Sequence, residues 1–389
     1  MKKTKLLSFV LAAAMLAIPL AGCSQDEGAD GGKETIKIGG LAPLSGDVSQ
    51  YGVAVNNAVK MAVEDINAKG GILGGRKIEY IVTDEKGDST EAVNAYNALM
   101  DQEIVALIGD VTSKPCKAVA AKAAADNMPM LTPSGTDADI TKAGKNVFRA
   151  CFIDPYQGAA AATYAYKNLG YKKAAVLTDV ANDYAVGLSN FFKKTFKKIG
   201  GELVADMKYS SGDQDFTAQL TELISKKPDI VFMPAYFAEG AIIMKQAREL
   251  GATFVLMGAD AMDNPDTLKI GGKAVEGFLH TTFPYDVNME NMSAEAKTFT
   301  DAWKKNFPNK DPNVNSALGY NCYNIILDAL TRAGKADTEA LTAALAATKN
   351  LPTALGVLSI NETHDAEMPV GIIKYMDGKR KYIGEAIAE

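Results

Sequence analysis

Short apolar runs alternate along this chain with longer stretches in which apolar residues return every three or four positions. Residues 36–41 are a compact run, 52–68 place Val55, Val59, Ala62, Val63 and Ile66 on one helical stripe, and 78–83 are apolar again. A period of 3.6 marks a helix with one buried face, and a bounded run of four to eight marks a strand. The rhythm returns at 104–108, 128–131, 174–178, 230–233 and 254–258. Repeated strand-helix units of this kind predict parallel sheets with helices on both faces.

Two of the junctions are unusual. In LIGDVTSKP (107–115) a strand stops at Gly109, and small polar residues precede a helix. LTPSGTD (131–137) repeats the arrangement about twenty residues later. A strand-to-helix turn aims backbone N–H groups and the positive end of the helix dipole at whatever lies beyond it, which suits an anion. Phosphate sites of this build use GxGxxG or GxxxxGK[ST]. These turns present Ser113, Ser134 and Thr136 instead, so two hydroxyl-bearing turns are expected to converge on one small ligand. As plain helix caps the same residues would need no ligand.

The first 22 residues stand apart, with Lys2, Lys3 and Lys5, an apolar run over 6–20, then LAGC ending at Cys23. This reads as a secretory signal peptide, its apolar run too short for a comfortable membrane span. Leu-Ala-Gly-Cys resembles a bacterial lipobox, in which Cys23 is acylated and becomes the new N-terminus. Residues 23–34, small, acidic and patternless, read as a flexible tether. The expected location is outside the cytoplasm, anchored to the cell membrane by lipid on Cys23.

At 389 residues, 47% hydrophobic and 23% charged, the remainder has the composition of a globular protein of two domains. Losing the three leader lysines from 41 basic residues leaves 38 against 47 acidic ones, a formal charge of −9. That balance disfavours nucleic acid, which needs a basic face. Cys116, Cys151 and Cys322 are an odd set, expected as buried thiols, and His280 and His364 lie far apart without ligand spacing. No metal or other cofactor is called for, and without GxGxxG, GxSxG or a paired histidine, catalysis is not expected.

The segments IKIGGLAPLSGDVSQYG, AVEDINAKGGILGGRKIEYIVTD, VALIGDVTSK, MLTPSGTDADIT, FRACFIDPYQG and VFMPAYFAEG, in this order from residue 36 onward, resemble the leucine/isoleucine/valine-type substrate-binding proteins of bacterial ABC importers. The resemblance implies an α/β protein of two doubly wound parallel-sheet lobes joined by a three-segment hinge, the type I periplasmic binding protein fold. Its lobes would be 35–153 with 285–361, and 154–284 with 362–389. It further implies a monomer that captures a small amino acid in the interlobe cleft and delivers it to ABC importer permease subunits; a receptor or sensor module on the same fold is the alternative.

Matched position by position, the resemblance gives Ser113 the ligand carboxylate, Thr136 a bridge between carboxylate and ammonium, and Ser134 a nearby carbonyl or hydroxyl. Tyr51 covers the ligand side chain, and Tyr184 and Tyr236 close over it from the second lobe. Asp260 falls where many relatives have glutamate, as partner of the α-ammonium, and is one methylene shorter. Asp154 and Tyr156, beside the hinge, read as structural.

Overall fold

A computed structural model describes residues 34–388. The signal peptide, Cys23 and nearly all of the tether lie outside the described residues. The chain opens with β1 (Ile36–Ala42), α1 (Ser49–Ala68), β2 (Ile78–Asp84), α2 (Ser89–Met100), β3 (Ala106–Ile108), α3 (Ser113–Ala125), β4 (Met130–Thr132) and β5 (Val147–Arg149). These strands form a parallel sheet in the order β2-β1-β3-β4-β5.

A second series follows: α4 (Asp154–Thr163), β6 (Lys173–Asp179), α5 (Asp183–Lys198), β7 (Glu202–Tyr209), α6 (Thr217–Lys226), β8 (Ile230–Phe232), α7 (Phe237–Glu249), β9 (Val255–Gly258), α8 (Pro265–Gly271) and β10 (Leu279–Thr282). Its strands run parallel in the order β7-β6-β8-β9-β10. The chain then returns to the first lobe as α9 (Ala294–Asn306), α10 (Val314–Ala333) and α11 (Thr338–Ala346), of which α9 and α10 pack on α1. A small antiparallel sheet of β11 (Leu351–Thr353), β12 (Gly356–Ile360) and β13 (Ala366–Glu367) comes next. Finally β14 (Val370–Met376) and β15 (Lys379–Ala386) join the edge of the second sheet beside β10.

Two doubly wound lobes are therefore present, with one departure from the all-parallel expectation. β14 runs antiparallel to both β10 and β15. The hairpin turns at Asp377-Gly378, both at positive φ, and Asp-Gly is a strong signal for a tight turn of this hand. The chain passes between the sheets at 150–153, at 283–293 and after Glu367. Because β13 still pairs with β12, the third passage falls later than 361/362. Phe152 and Phe283, on two of these passages, stack at 4.1 Å.

Burial follows the stripes. On α5, Leu188, Phe192 and Phe196 pack inward while Lys194, Lys197 and Lys198 stay in solvent, so this lysine cluster is a hydrated helix face. The outer face of the first sheet is covered through Leu41, Tyr96, Leu99, Leu107, Val119 and Met130. A larger cluster runs from its inner face through the passages into the second lobe. Cys116, Cys151 and Cys322 are all buried free thiols, and burial pushes Cys116 up to about 12. Among the described residues no helix is long and apolar enough to cross a membrane.

Candidate functional site

Both sheets reverse their strand order at one place, between β1 and β3 and between β6 and β8. At such a reversal the helices leaving neighbouring strands go to opposite faces and open a crevice at the strands' C-terminal ends. From the first reversal come Tyr51, third residue of α1, and Ser113, first residue of α3. From the second come Tyr184, second residue of α5, and Tyr236, just before α7. The two crevices face each other across one narrow cavity of about 30 Å³. It is lined by Tyr51, Val111, Thr112, Ser113, Ser134, Tyr184, Tyr236, Asp260, Ala261 and Asn315. Ligand pockets span roughly 300–1,000 Å³, so the cleft stands closed more tightly than a bound amino acid allows.

The two hydroxyl turns do converge. Gly109 starts the first at φ +135°, where an added Cβ would fall 2.5 Å from the Leu41 carbonyl oxygen, so only glycine ends this strand. The turns are then tied together: the Ser134 hydroxyl donates to the Val111 carbonyl (2.7 Å), the Thr132 hydroxyl to the Asp110 carbonyl (2.6 Å), and the Asp137 N–H to Ser113 Oγ (3.3 Å). Ser113 does not cap α3, whose cap position is Thr112, and no α-helix follows Ser134: contrary to the strand-to-helix expectation, the second turn leads through a short 3-10 turn (Thr141–Ala143) to β5. Arg149, wholly buried at the end of β5, fixes the second turn by donating to the carbonyls of Gly135 and Asp137 (both 2.8 Å) and to Asp365 Oδ1 (2.6 Å).

Thr136 sits behind this surface. It is fully buried and absent from the cavity lining, its Oγ1 has no hydrogen-bond partner, and its carbonyl accepts the Asp154 N–H at 2.9 Å. Tyr51 does more than present a ring. Its hydroxyl reaches across to the second lobe, donating to the Ala261 carbonyl (2.7 Å) and accepting the Phe237 N–H (3.1 Å), while its ring meets Tyr236 edge-on at 5.8 Å. Lys117 of α3 also spans the lobes, pairing with Asp137 (3.3 Å) and with Asp183 of α5 (3.1 Å). These bonds hold the cleft shut.

Asp260 opens the short turn after β9 and is 8% exposed. Its Oδ1 accepts from Gln157 Nε2 (2.7 Å) and from the Tyr184 hydroxyl (2.9 Å), which in turn accepts the Ala261 N–H. Burial pushes the carboxyl up to about 6, against the pull of those two donors. Behind it lies a group whose place beside the hinge reads as structural in the sequence. Asp154, first residue of α4, is buried beside Thr136 with neither carboxyl oxygen hydrogen-bonded, and burial holds it well above the usual carboxylate range. Gln157 and Asn315 do not stand out in the sequence either. Gln157 stands in the FRACFIDPYQG segment that carries the resemblance, and Asn315 had no local signal.

One side of the cavity thus offers hydroxyls and a helix N-terminus, the other a held carboxylate. Residues 35–380 match the family described as periplasmic binding protein. The chain belongs to that family. It is 34% identical over 348 residues, 88% of this chain and 92% of the relative, to a Leu/Ile/Val-binding protein of Rhizobium johnstonii. It is 30% identical over 85% of its length, and 87% of the relative's, to a leucine-, isoleucine-, valine-, threonine- and alanine-binding protein of Pseudomonas aeruginosa. A solved leucine-binding protein of Thermotoga maritima superposes with a TM-score of 0.86 at 38% identity, covering 91% of this chain and 99% of that one. The branched-chain amino acid transporter substrate-binding protein of Streptococcus pneumoniae, in complex with isoleucine, superposes at 0.83 with 29% identity over 90% and 100%. Members of this family are extracytoplasmic substrate-binding proteins.

Proposed function

We propose that this protein captures a free α-amino acid with a short side chain between its lobes and hands it to the permease subunits of an ABC importer, working as a monomer tethered by lipid on Cys23. The observation that carries the reading is the polarity of the cavity. Ser113 and Ser134, at the start of α3 and on the turn tied to it, bind the carboxylate; Asp260, backed by Asp154 and Thr136, binds the ammonium. A zwitterion answers both ends, and a buried charge left unanswered would be costly. Tyr51, Tyr184 and Tyr236 close over the side chain, and closure turns on the three passages between lobes. Relatives are named for binding leucine, isoleucine and valine, and one solved neighbour holds isoleucine.

A thermal-shift screen of the twenty amino acids tests this. A ligand at a hundred times its dissociation constant adds about 2.7 kcal/mol, so valine and its neighbours in size should raise the melting midpoint, and glutamate, lysine and tryptophan should not. A flat profile across all twenty contradicts the reading.

The raised pKa of Asp260 adds a pH dependence. Above about 6 the carboxyl is ionised and attracts the ammonium; below it the carboxyl takes up a proton while the ammonium stays charged. Affinity for valine should therefore fall as the pH drops from 7.5 to 5, approaching tenfold per unit below about 6. Calorimetry at several pH values reads this directly, and constant affinity over that range rules Asp260 out as the partner.

A further inference from the structure

The turn that carries Asp260 is held from outside the cavity. The Asp260 carbonyl accepts the Asp263 N–H (2.9 Å), which closes the turn, and the Asp263 side chain is gripped in its own right. Arg380, second residue of β15, donates through Nε to Asp263 Oδ1 (2.7 Å) and through Nη2 to Asp263 Oδ2 (2.6 Å). Two parallel bonds of this kind fix direction as well as distance. Thr282, at the end of β10, donates its hydroxyl to the same Oδ2. Asp263 is 4% exposed; burial by itself would raise its carboxyl, and Arg380 foremost holds it below the ordinary carboxylate value, so it stays charged in that grip.

Arg380 reaches further. Its Nη1 pairs with Asp286, on the second passage between the lobes. One guanidinium therefore joins the turn of Asp260 to a segment on which the lobes turn. Neither Arg380 nor Asp263 lines the cavity, so any effect on the ligand passes through the turn and not through contact. We propose that Arg380 is a positioning residue for amine recognition: through Asp263 it fixes the turn from which Asp260 meets the ligand ammonium. This rests on the reading of Asp260 as the ammonium's partner and adds what places it. Gln157 and Tyr184 hold the tip of the Asp260 carboxylate, and Arg380 holds the backbone beneath it. Pairing of charges in a closed cleft repays their desolvation when the geometry is good, and a group 1 Å too loose loses that return.

Calorimetric titration of the wild type, Arg380→Gln, Asp260→Asn and the double variant with valine and with its 2-oxo acid tests it. Arg380→Lys keeps the charge without the paired fork and is read in the same way, should the glutamine variant not fold. The expected result is an Arg380→Gln protein that binds valine about tenfold more weakly and the 2-oxo acid unchanged, and a double variant no weaker toward valine than Asp260→Asn alone, because both substitutions act on one interaction. Unchanged valine affinity, equal loss for both ligands, or losses that multiply in the double variant would each overturn the inference and leave Arg380 as a support of the fold. If Asp260→Asn does not change the preference for valine over the 2-oxo acid, the ammonium reading itself fails and this inference with it.

Discussion

Asp260→Asn should bind valine several hundred-fold more weakly than the wild type, while binding of the corresponding 2-oxo acid is unchanged or improves. The substitution keeps the shape and leaves Oδ1 able to accept from Gln157 and Tyr184, so the geometry of the turn persists. What disappears is the negative charge, and leaving an ammonium unpaired in a closed cleft costs about 3–5 kcal/mol, roughly two to three and a half powers of ten in affinity. The 2-oxo acid has no ammonium and meets only a carboxylate that repels it, which asparagine removes. Equal weakening of both ligands would mean that Asp260 shapes the site without pairing with the amine. The neighbouring Asp154 sets a limit on the effect: a buried carboxyl that ionises when the ammonium arrives would share the charge, and Asp154→Asn then carries part of the loss.

The second large effect is on the fold. Arg149→Met should destabilise the protein by about 3–5 kcal/mol, because a buried guanidinium is removed and its partners remain. Asp365 loses a charge-assisted bond of 2.6 Å, and the carbonyls of Gly135 and Asp137 lose their donors. Those carbonyls belong to the turn that carries Ser134 and Thr136, so amino-acid affinity should fall as well. Urea denaturation gives the first quantity and calorimetry on the folded variant the second. A variant within about 1 kcal/mol of the wild type would show that the Thr141 and Thr363 hydroxyls, which also reach Asp365, suffice without the arginine.

How far the sequence reveals this molecule depends on how local each feature is. The units β3-turn-α3 and β4-turn are written in adjacent residues, and so is the convergence of their hydroxyls, since the residues tied together lie little more than twenty positions apart. The Asp377-Gly378 hairpin is equally local, yet it lies beyond the alternating rhythm and goes unread. Tyr51 is legible as a cleft aromatic, but its bonds to Ala261 and Phe237 join residues 210 and 186 positions away, and no pattern near Tyr51 announces them. Asp154 reads as a helix-start residue before proline, and only the fold shows that both its oxygens are left without partners. Asn315 is one polar residue among several in DPNVNSA, and its difference from Asn313 appears only when the first turn of α10 is seen to be capped without it.

The most direct test of the central claim, that the cleft holds a zwitterion by both charged ends, is a calorimetric comparison of valine with its 2-oxo acid and with valinamide on the wild-type protein. The first analogue removes the amine and keeps the carboxylate; the second keeps the amine and removes the carboxylate. The account predicts saturable binding of one valine per chain and at least about a hundredfold weaker binding of each analogue, since each leaves one end of a buried site unpaired. An analogue that binds as tightly as valine would contradict it.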